Sequence, residues 1–153
     1  MDVSRFTRLA TTAYADVIAR DRVMDFGMRP LWQPIPRIAG PAYPVRNEPA
    51  DNLMLHVAVH RAPAGSIIVC EAGDHDYAQA GGNVRAWAQK RVIPIPAKRG
   101  KNGVLNGPVT CGGVSVAPGD VVIADEEGIV VLPAAKAEER AIDDLVAKLG
   151  IDA

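Results

Sequence analysis

The chain holds only two cysteines, Cys70 and Cys111. Two thiols make no disulfide framework, so the fold must rest on its own core. Both read as small core residues: Cys70 closes an apolar, β-branched run, and Cys111 stands beside a Gly-Gly turn. Aromatic residues are also scarce, at 5%, and no basic run is interleaved with them. That leaves no stacking and phosphate-contact surface for nucleic acid. A formal net charge of -1 gives no general pull toward polyanions. No apolar stretch is long enough to span a bilayer. Met1-Asp-Val-Ser-Arg5 lacks the apolar core of a secretion signal. The expectation is a cytoplasmic protein that engages neither membrane nor nucleic acid.

What is present suits one globular domain over residues 1–153. Hydrophobic residues make up 48% of the chain and charged residues 23%, an ordinary balance for a domain with a sizeable core. The spacing of Phe6, Leu9, Ala13, Val17 and Ile18 predicts a helix over 4–23. Residues 27–36 carry several prolines and read as a loop. Residues 37–46 read as a strand interrupted at Gly40-Pro41. Asp51-Asn52 can cap a helix that Ala62-Pro63-Ala64-Gly65 ends. Ile67 to Cys70 reads as a buried strand. Residues 92–106 read as a loop. Three short strands are predicted at 109–116, 120–124 and 129–132, and a closing helix at 134–149.

The stretch richest in chemistry is Gly81-Gly82-Asn83-Val84. It follows the strand Ile67–Cys70 and a polar loop over 71–79, and it opens a segment, 83–91, that reads as a helix. A strand, a loop and a Gly-rich helix start make an anion site, because the free N–H groups of the first turn and the helix dipole favour negative charge. A tight turn without a ligand is the plainer reading of the same residues.

Other polar residues have two readings each. His56 and His60 lie four apart on a predicted helix, so they share a face and can in principle share a metal. No glutamate follows His56, so this is not the zincin pattern, and two surface or half-buried imidazoles is the simpler reading. His75, in Asp74-His75-Asp76, is either a solvated loop histidine or an acid/base group near the Gly loop. Asp125-Glu126-Glu127-Gly128 reads first as an acidic hairpin turn.

Several segments in order resemble one family. They are Gly40-Pro41-Ala42, Pro49-Ala-Asp51-Asn52-Leu53-Met54-Leu55-His56, Ala80-Gly81-Gly82-Asn83-Val84, Gly107-Pro108-Val109-Thr-Cys111-Gly112-Gly113-Val114, Pro118-Gly119-Asp120-Val121-Val122 and Ala124-Asp125-Glu126-Glu127-Gly128-Ile129-Val130-Val131-Leu132-Pro133. Together they resemble the RraA-like family, which includes the 4-hydroxy-4-methyl-2-oxoglutarate aldolases. The resemblance runs from about Thr11 to the C-terminus. It implies an α/β fold, a swivelling β/β/α domain with small mixed sheets and flanking helices. It also implies a homotrimer or dimer of trimers with sites between subunits.

The implied activity is that of a divalent-metal-dependent lyase. It cleaves, or as with oxaloacetate decarboxylates, 2-oxo dicarboxylic acids to pyruvate. Mg²⁺ or Mn²⁺ would stabilise the enolate, and the backbone N–H groups of Gly81, Gly82, Asn83 and Val84 would hold the substrate carboxylate. One part of the family pattern is absent. The family continues after the Gly loop into an Arg-Asp pair, where the Arg binds substrate and the Asp holds the metal. Here Arg91 runs directly into Val92, and roughly thirty residues, about one strand–helix–strand unit, are missing. Arg20-Asp21 does not match that pair by position. The carboxylates left for a metal are Asp74, Asp76 and Asp125. The alternative to a lyase is a catalytically impaired binding or regulatory protein that keeps the anion loop.

Overall fold

The computed structural model of the chain describes residues 2–31, 33–48, 51–72, 77–80, 86–88, 103–137, 144 and 147, with only the backbone at 77–80 and 86–88. In chain order the elements are α1 (Thr11–Ala15), β1 (Arg29–Pro30), β2 (Ile38–Arg46), α2 (Leu53–Arg61), β3 (Ile67–Glu71), β4 (Tyr77–Ala80), β5 (Ala86–Ala88), β6 (Val104–Leu105), β7 (Val109–Cys111), β8 (Val114–Val116), β9 (Val121–Ala124) and β10 (Ile129–Leu132). Short 3-10 turns stand at Val3–Arg8, Arg20–Arg22 and Ala134–Lys136. Eight strands form one mixed sheet in the order β1-β5-β4-β3-β2-β9-β10, with β6 also on β2, and β7-β8 form a separate hairpin.

Alternation of side chains explains the layers. On β2, β3, β9 and β10, residues Ile38, Ala42, Ile67, Val69, Val122, Ala124, Ile129 and Val131 share a core with Val109, Cys111, Val114 and Val116 of the β7–β8 hairpin. The intervening residues face the other way. Val121, Ile123, Val130 and Leu132 pack on Phe6, Leu9 and Tyr14 of the N-terminal segment. Val45 and Ile68 pack on Ala58 of α2. A sheet covered on both faces needs apolar residues at both parities, which is why 121–124 and 129–132 are buried throughout.

The strand β2 is continuous from Ile38 to Arg46 rather than interrupted. Residues 38–41 pair with β9 antiparallel, and residues 42–46 pair with β3 parallel. Pro41 sits at the exchange of partners, where a missing N–H does least harm to the ladder. A Cβ on Gly40 would collide with the carbonyl oxygen of Gly65, so glycine lets the turn before β3 lie against the strand. Gly112 and Gly113 both have positive φ, +54° and +77°, and join β7 to β8 in a two-residue turn.

Two predicted helices are corrected. Residues 4–23 form a 3-10 turn, α1 and a second 3-10 turn, with Leu9 and Ala10 extended between the first two. So short a helix has little intrinsic stability, and contacts with β9 and β10 set its bounds. The helix predicted over 83–91 is replaced, at the described residues 86–88, by β5, which pairs antiparallel with β4 and with β1. The loop predicted over 71–79 likewise contains β4, where Tyr77–Ala80 pairs with β3. Two glycines between short strands are also a hairpin signal, and here that reading prevails. Of the predicted closing helix, Ala134–Lys136 is a 3-10 turn, residues 144 and 147 are helical, and the rest lies outside the described residues. Within the predicted loop over 92–106, Val104–Leu105 forms β6.

Candidate functional site

The units β2, α2 and β3 form a parallel β-α-β crossover. Ligands of such units bind outside the carboxyl ends of the strands, here at Arg46-Asn47 and Glu71-Ala72. Asn47 organises that end. Its backbone N–H donates to the Glu71 carbonyl at 2.9 Å. Its side-chain oxygen accepts from Leu55 N–H in the first turn of α2 at 3.2 Å, and its amide donates to Cys70 Sγ at 3.5 Å. Asp51, 4% exposed, accepts from Leu53 N–H at 2.8 Å. The first turn of α2 is therefore capped by the chain itself, and the predicted Asp51-Asn52 cap works through Asp51. Glu71 accepts from Thr110 N–H at 2.8 Å, which ties β7 to the end of β3.

Asp74 and His75 follow this strand end, and Gly81, Gly82, Asn83 and Val84 follow β4; all of these lie outside the described residues. The described residues next to them lie at opposite ends of β3. Ala80, just before the Gly loop, is opposite Ile67 at the start of β3, whereas Ala72, just before the acidic loop, follows its end. β5 in place of a helix also removes the dipole from the expected anion site.

Asp125 is described in full. Its carboxylate accepts four hydrogen bonds: Thr11 N–H at 2.8 Å, Thr11 Oγ1–H at 2.6 Å, Arg37 Nε–H at 3.3 Å and Glu127 N–H at 2.9 Å. Burial pushes its pKa up, and the bonds from Thr11, Glu127 and Arg37 outweigh that, so the carboxyl titrates below its ordinary value. Arg37 also donates to the Thr7 carbonyl at 3.0 Å. A carboxylate has about four lone-pair directions, and these are filled. Asp125 joins the N-terminal segment to the end of β9 and does not fit a metal ligand here. Among the described residues no three His, Cys, Asp or Glu side chains are grouped to hold an ion.

Sequence reasoning named Asp125 but missed Thr11 and Arg37, which are 114 and 88 positions away in the chain. It also missed a second junction. Arg22 donates to the carbonyls of Val131 and Ser115, at 3.1 and 2.9 Å, and pairs with Asp120 at 3.3 Å. Asp120 accepts in turn from Ala117 and Ala134 N–H, both at 3.0 Å. Cys70 and Cys111 are buried in the core, as expected. Arg20 lines a half-open cavity of about 560 Å³ with Ala15, Val23, Met24, Asp25 and Phe26. No described helix is long and apolar enough to cross a membrane.

The mixed sheet, its crossover helix and the hairpin lid define an RraA-type α/β domain, and comparison with known proteins agrees. The RraA-like family profile, described as Aldolase/RraA, matches residues 10–94 and 86–131. The chain belongs to the RraA-like family. A Halalkalibacterium halodurans protein provisionally named a 4-hydroxy-4-methyl-2-oxoglutarate aldolase is 26% identical over 165 positions, covering 89% of this chain and 78% of that protein. Streptomyces coelicolor RraAS2, described as an unusual member of the RNase ES inhibitor RraA protein family, superposes with a TM-score of 0.72 at 20% identity, over 95% of this chain and 92% of its own. The RNA-processing inhibitor RraA of Thermus thermophilis superposes with a TM-score of 0.60 at 18% identity, over 88% and 98%. These two likenesses concern the fold.

The alignment with the H. halodurans protein is 165 positions long, whereas 89% of the 153 residues here is about 136, so about 29 positions have no counterpart in this chain. The family profile is matched in two segments that overlap at 86–94.

Proposed function

We propose that this protein is a cytoplasmic lyase of the 4-hydroxy-4-methyl-2-oxoglutarate aldolase type, cleaving or decarboxylating 2-oxo dicarboxylic acids to pyruvate, with turnover reduced by the lost block. The observation that carries this reading is the family match across residues 10–131, together with the aldolase name of the relative. Such a reaction needs a grip on the substrate carboxylate and a sink for enolate charge. The grip is assigned to the backbone N–H groups of Gly81 to Val84. The sink in this class is Mg²⁺ or Mn²⁺. The described residues do not fit it: Asp125 is spent on Thr11, Glu127 and Arg37. The test is pyruvate release from 4-hydroxy-4-methyl-2-oxoglutarate and from oxaloacetate, with and without Mg²⁺ or Mn²⁺. Release of no pyruvate above the buffer rate refutes the lyase reading.

The roughly 29 absent positions favour a second reading, a binding or regulatory protein that keeps the anion loop. It predicts oxalate binding without turnover. Under both readings Gly82→Val should abolish oxalate or pyruvate binding with the fold intact, since a branched side chain blocks close approach of the ligand. Calorimetry checks this. Wild-type protein that binds no oxalate at millimolar concentration with Mg²⁺ present would remove the grip altogether.

We also propose self-association, as a homotrimer or dimer of trimers. The sheet ends at β1, only two residues long. Phe26 and Leu31 flank it with 84% and 40% of their surface exposed. Packing against another copy covers both. Light scattering should give a trimer or its multiple at micromolar concentration, and Phe26→Glu should weaken it. A stable monomer would overturn the proposal.

A further inference from the structure

Helix α2 carries His56 and His60, and both rings are exposed. They are one turn apart, so about 6 Å of rise separates them along the axis, and i,i+4 side chains stack on one face. No described residue donates to or accepts from either imidazole. The segment Leu53–Arg61 contains no carboxylate, so no acid on the helix competes for these rings. Val57 lies between them half-buried, and Val59 is exposed, which leaves water to complete any coordination shell.

We propose that His56 and His60 form a two-imidazole site for a borderline divalent metal such as Zn²⁺, Ni²⁺ or Cu²⁺. Imidazole nitrogen suits these ions, whereas Mg²⁺ and Ca²⁺ take oxygen. The site is thus chemically distinct from the Mg²⁺ or Mn²⁺ of the proposed lyase reaction and does not depend on that reading. The first ring to bind raises the effective concentration of the second, so the pair binds far better than either ring alone. Bound metal staples the last two turns of α2. That helix has nine residues, short for stability on its own, and it is the crossover between β2 and β3. Metal would stiffen the element that ends at Ala62, just before the β3 turn.

The experiment is a titration of the tag-free full chain with NiCl₂ or ZnCl₂, followed by calorimetry and thermal unfolding. Wild-type protein should bind one Ni²⁺ at least about tenfold more tightly than His56→Gln or His60→Gln. Its Tm should rise with saturating Ni²⁺, and neither variant should show the same rise. The helical circular dichroism of both variants should match wild type, as the rings are on the surface. His75→Gln should bind like wild type. Equal affinity in wild type and the His56 or His60 variant, loss of binding in His75→Gln, or no binding at millimolar Ni²⁺ would each overturn the site.

Discussion

Asp125→Ala should lower the stability of this protein by about 3 kcal/mol, the scale of removing a buried, multiply hydrogen-bonded carboxylate. For a domain of this size that is a fall in Tm of roughly 10 °C. The substitution strands the buried Thr11 hydroxyl and N–H, removes the ion pair with Arg37 and unties the start of α1 from the end of β9. Asp125→Asn should be nearly as damaging, because an amide NH₂ would face donors from Thr11 or Arg37. The effect has a pH signature. The folded carboxyl titrates below its ordinary value, so its contribution is complete above the unfolded pKa of about 3.9 and is lost as pH falls through the folded value. The gap in Tm between wild type and Asp125→Asn should therefore be constant from neutral pH down to about pH 5 and should close in stronger acid. Thermal scans across that range decide it. A gap that widens in acid, or an Asp125→Ala protein as stable as wild type, would show that the four bonds are not the support described here.

Aldol turnover should be at least about a hundredfold below that of an intact family member, the scale of losing one preorganised electrostatic contact. The absent block would have supplied an Arg fork for the substrate and an Asp for the metal. A bidentate Arg–carboxylate contact fixes both position and charge, and turn amides replace it only in part. Asp125 cannot stand in for the lost Asp while it holds Thr11 and Arg37. Side-by-side kcat measurements on 4-hydroxy-4-methyl-2-oxoglutarate, with Mg²⁺ supplied, test this. Turnover equal to that of intact members would mean that another carboxylate, with Asp74 the first to replace, has taken the metal.

Much of the fold was legible because burial on both faces leaves a plain mark. Ile67–Cys70, Val121–Ala124 and Ile129–Leu132 are unbroken apolar runs, and each is a strand. Gly112-Gly113 reads as a turn, yet the sequence predicts one strand over 109–116, and the two positive-φ glycines divide it into β7 and β8. The misreadings share a cause: the deciding contact is distant in sequence. The apolar spacing of Phe6, Leu9, Ala13 and Val17 suits a helix, yet the surface of β9 and β10 breaks it into short turns. Gly40-Pro41 looks like a break in a strand until the Gly65 carbonyl and the change of partner are seen. The Gly81-Gly82 pair serves a helix start or a hairpin equally well by composition, and only pairing with β4 and β1 selects strand for 86–88. The same holds for the site. Asp125 stood out as an acid in a turn, but Thr11 and Arg37 carry no local signal that they meet it.

The exchange of partners along β2 fixes how the parts of the sheet are joined. Residues 38–41 pair with β9, and residues 42–46 pair with β3. On one face Val121, Ile123, Val130 and Leu132 pack on Phe6, Leu9 and Tyr14. On the other, Ile67 and Val69 of β3 share one core with Val122, Val131 and the β7–β8 hairpin. A single strand therefore carries both groups of strands, so a slip in its register would be felt on β3 and on β9 at once.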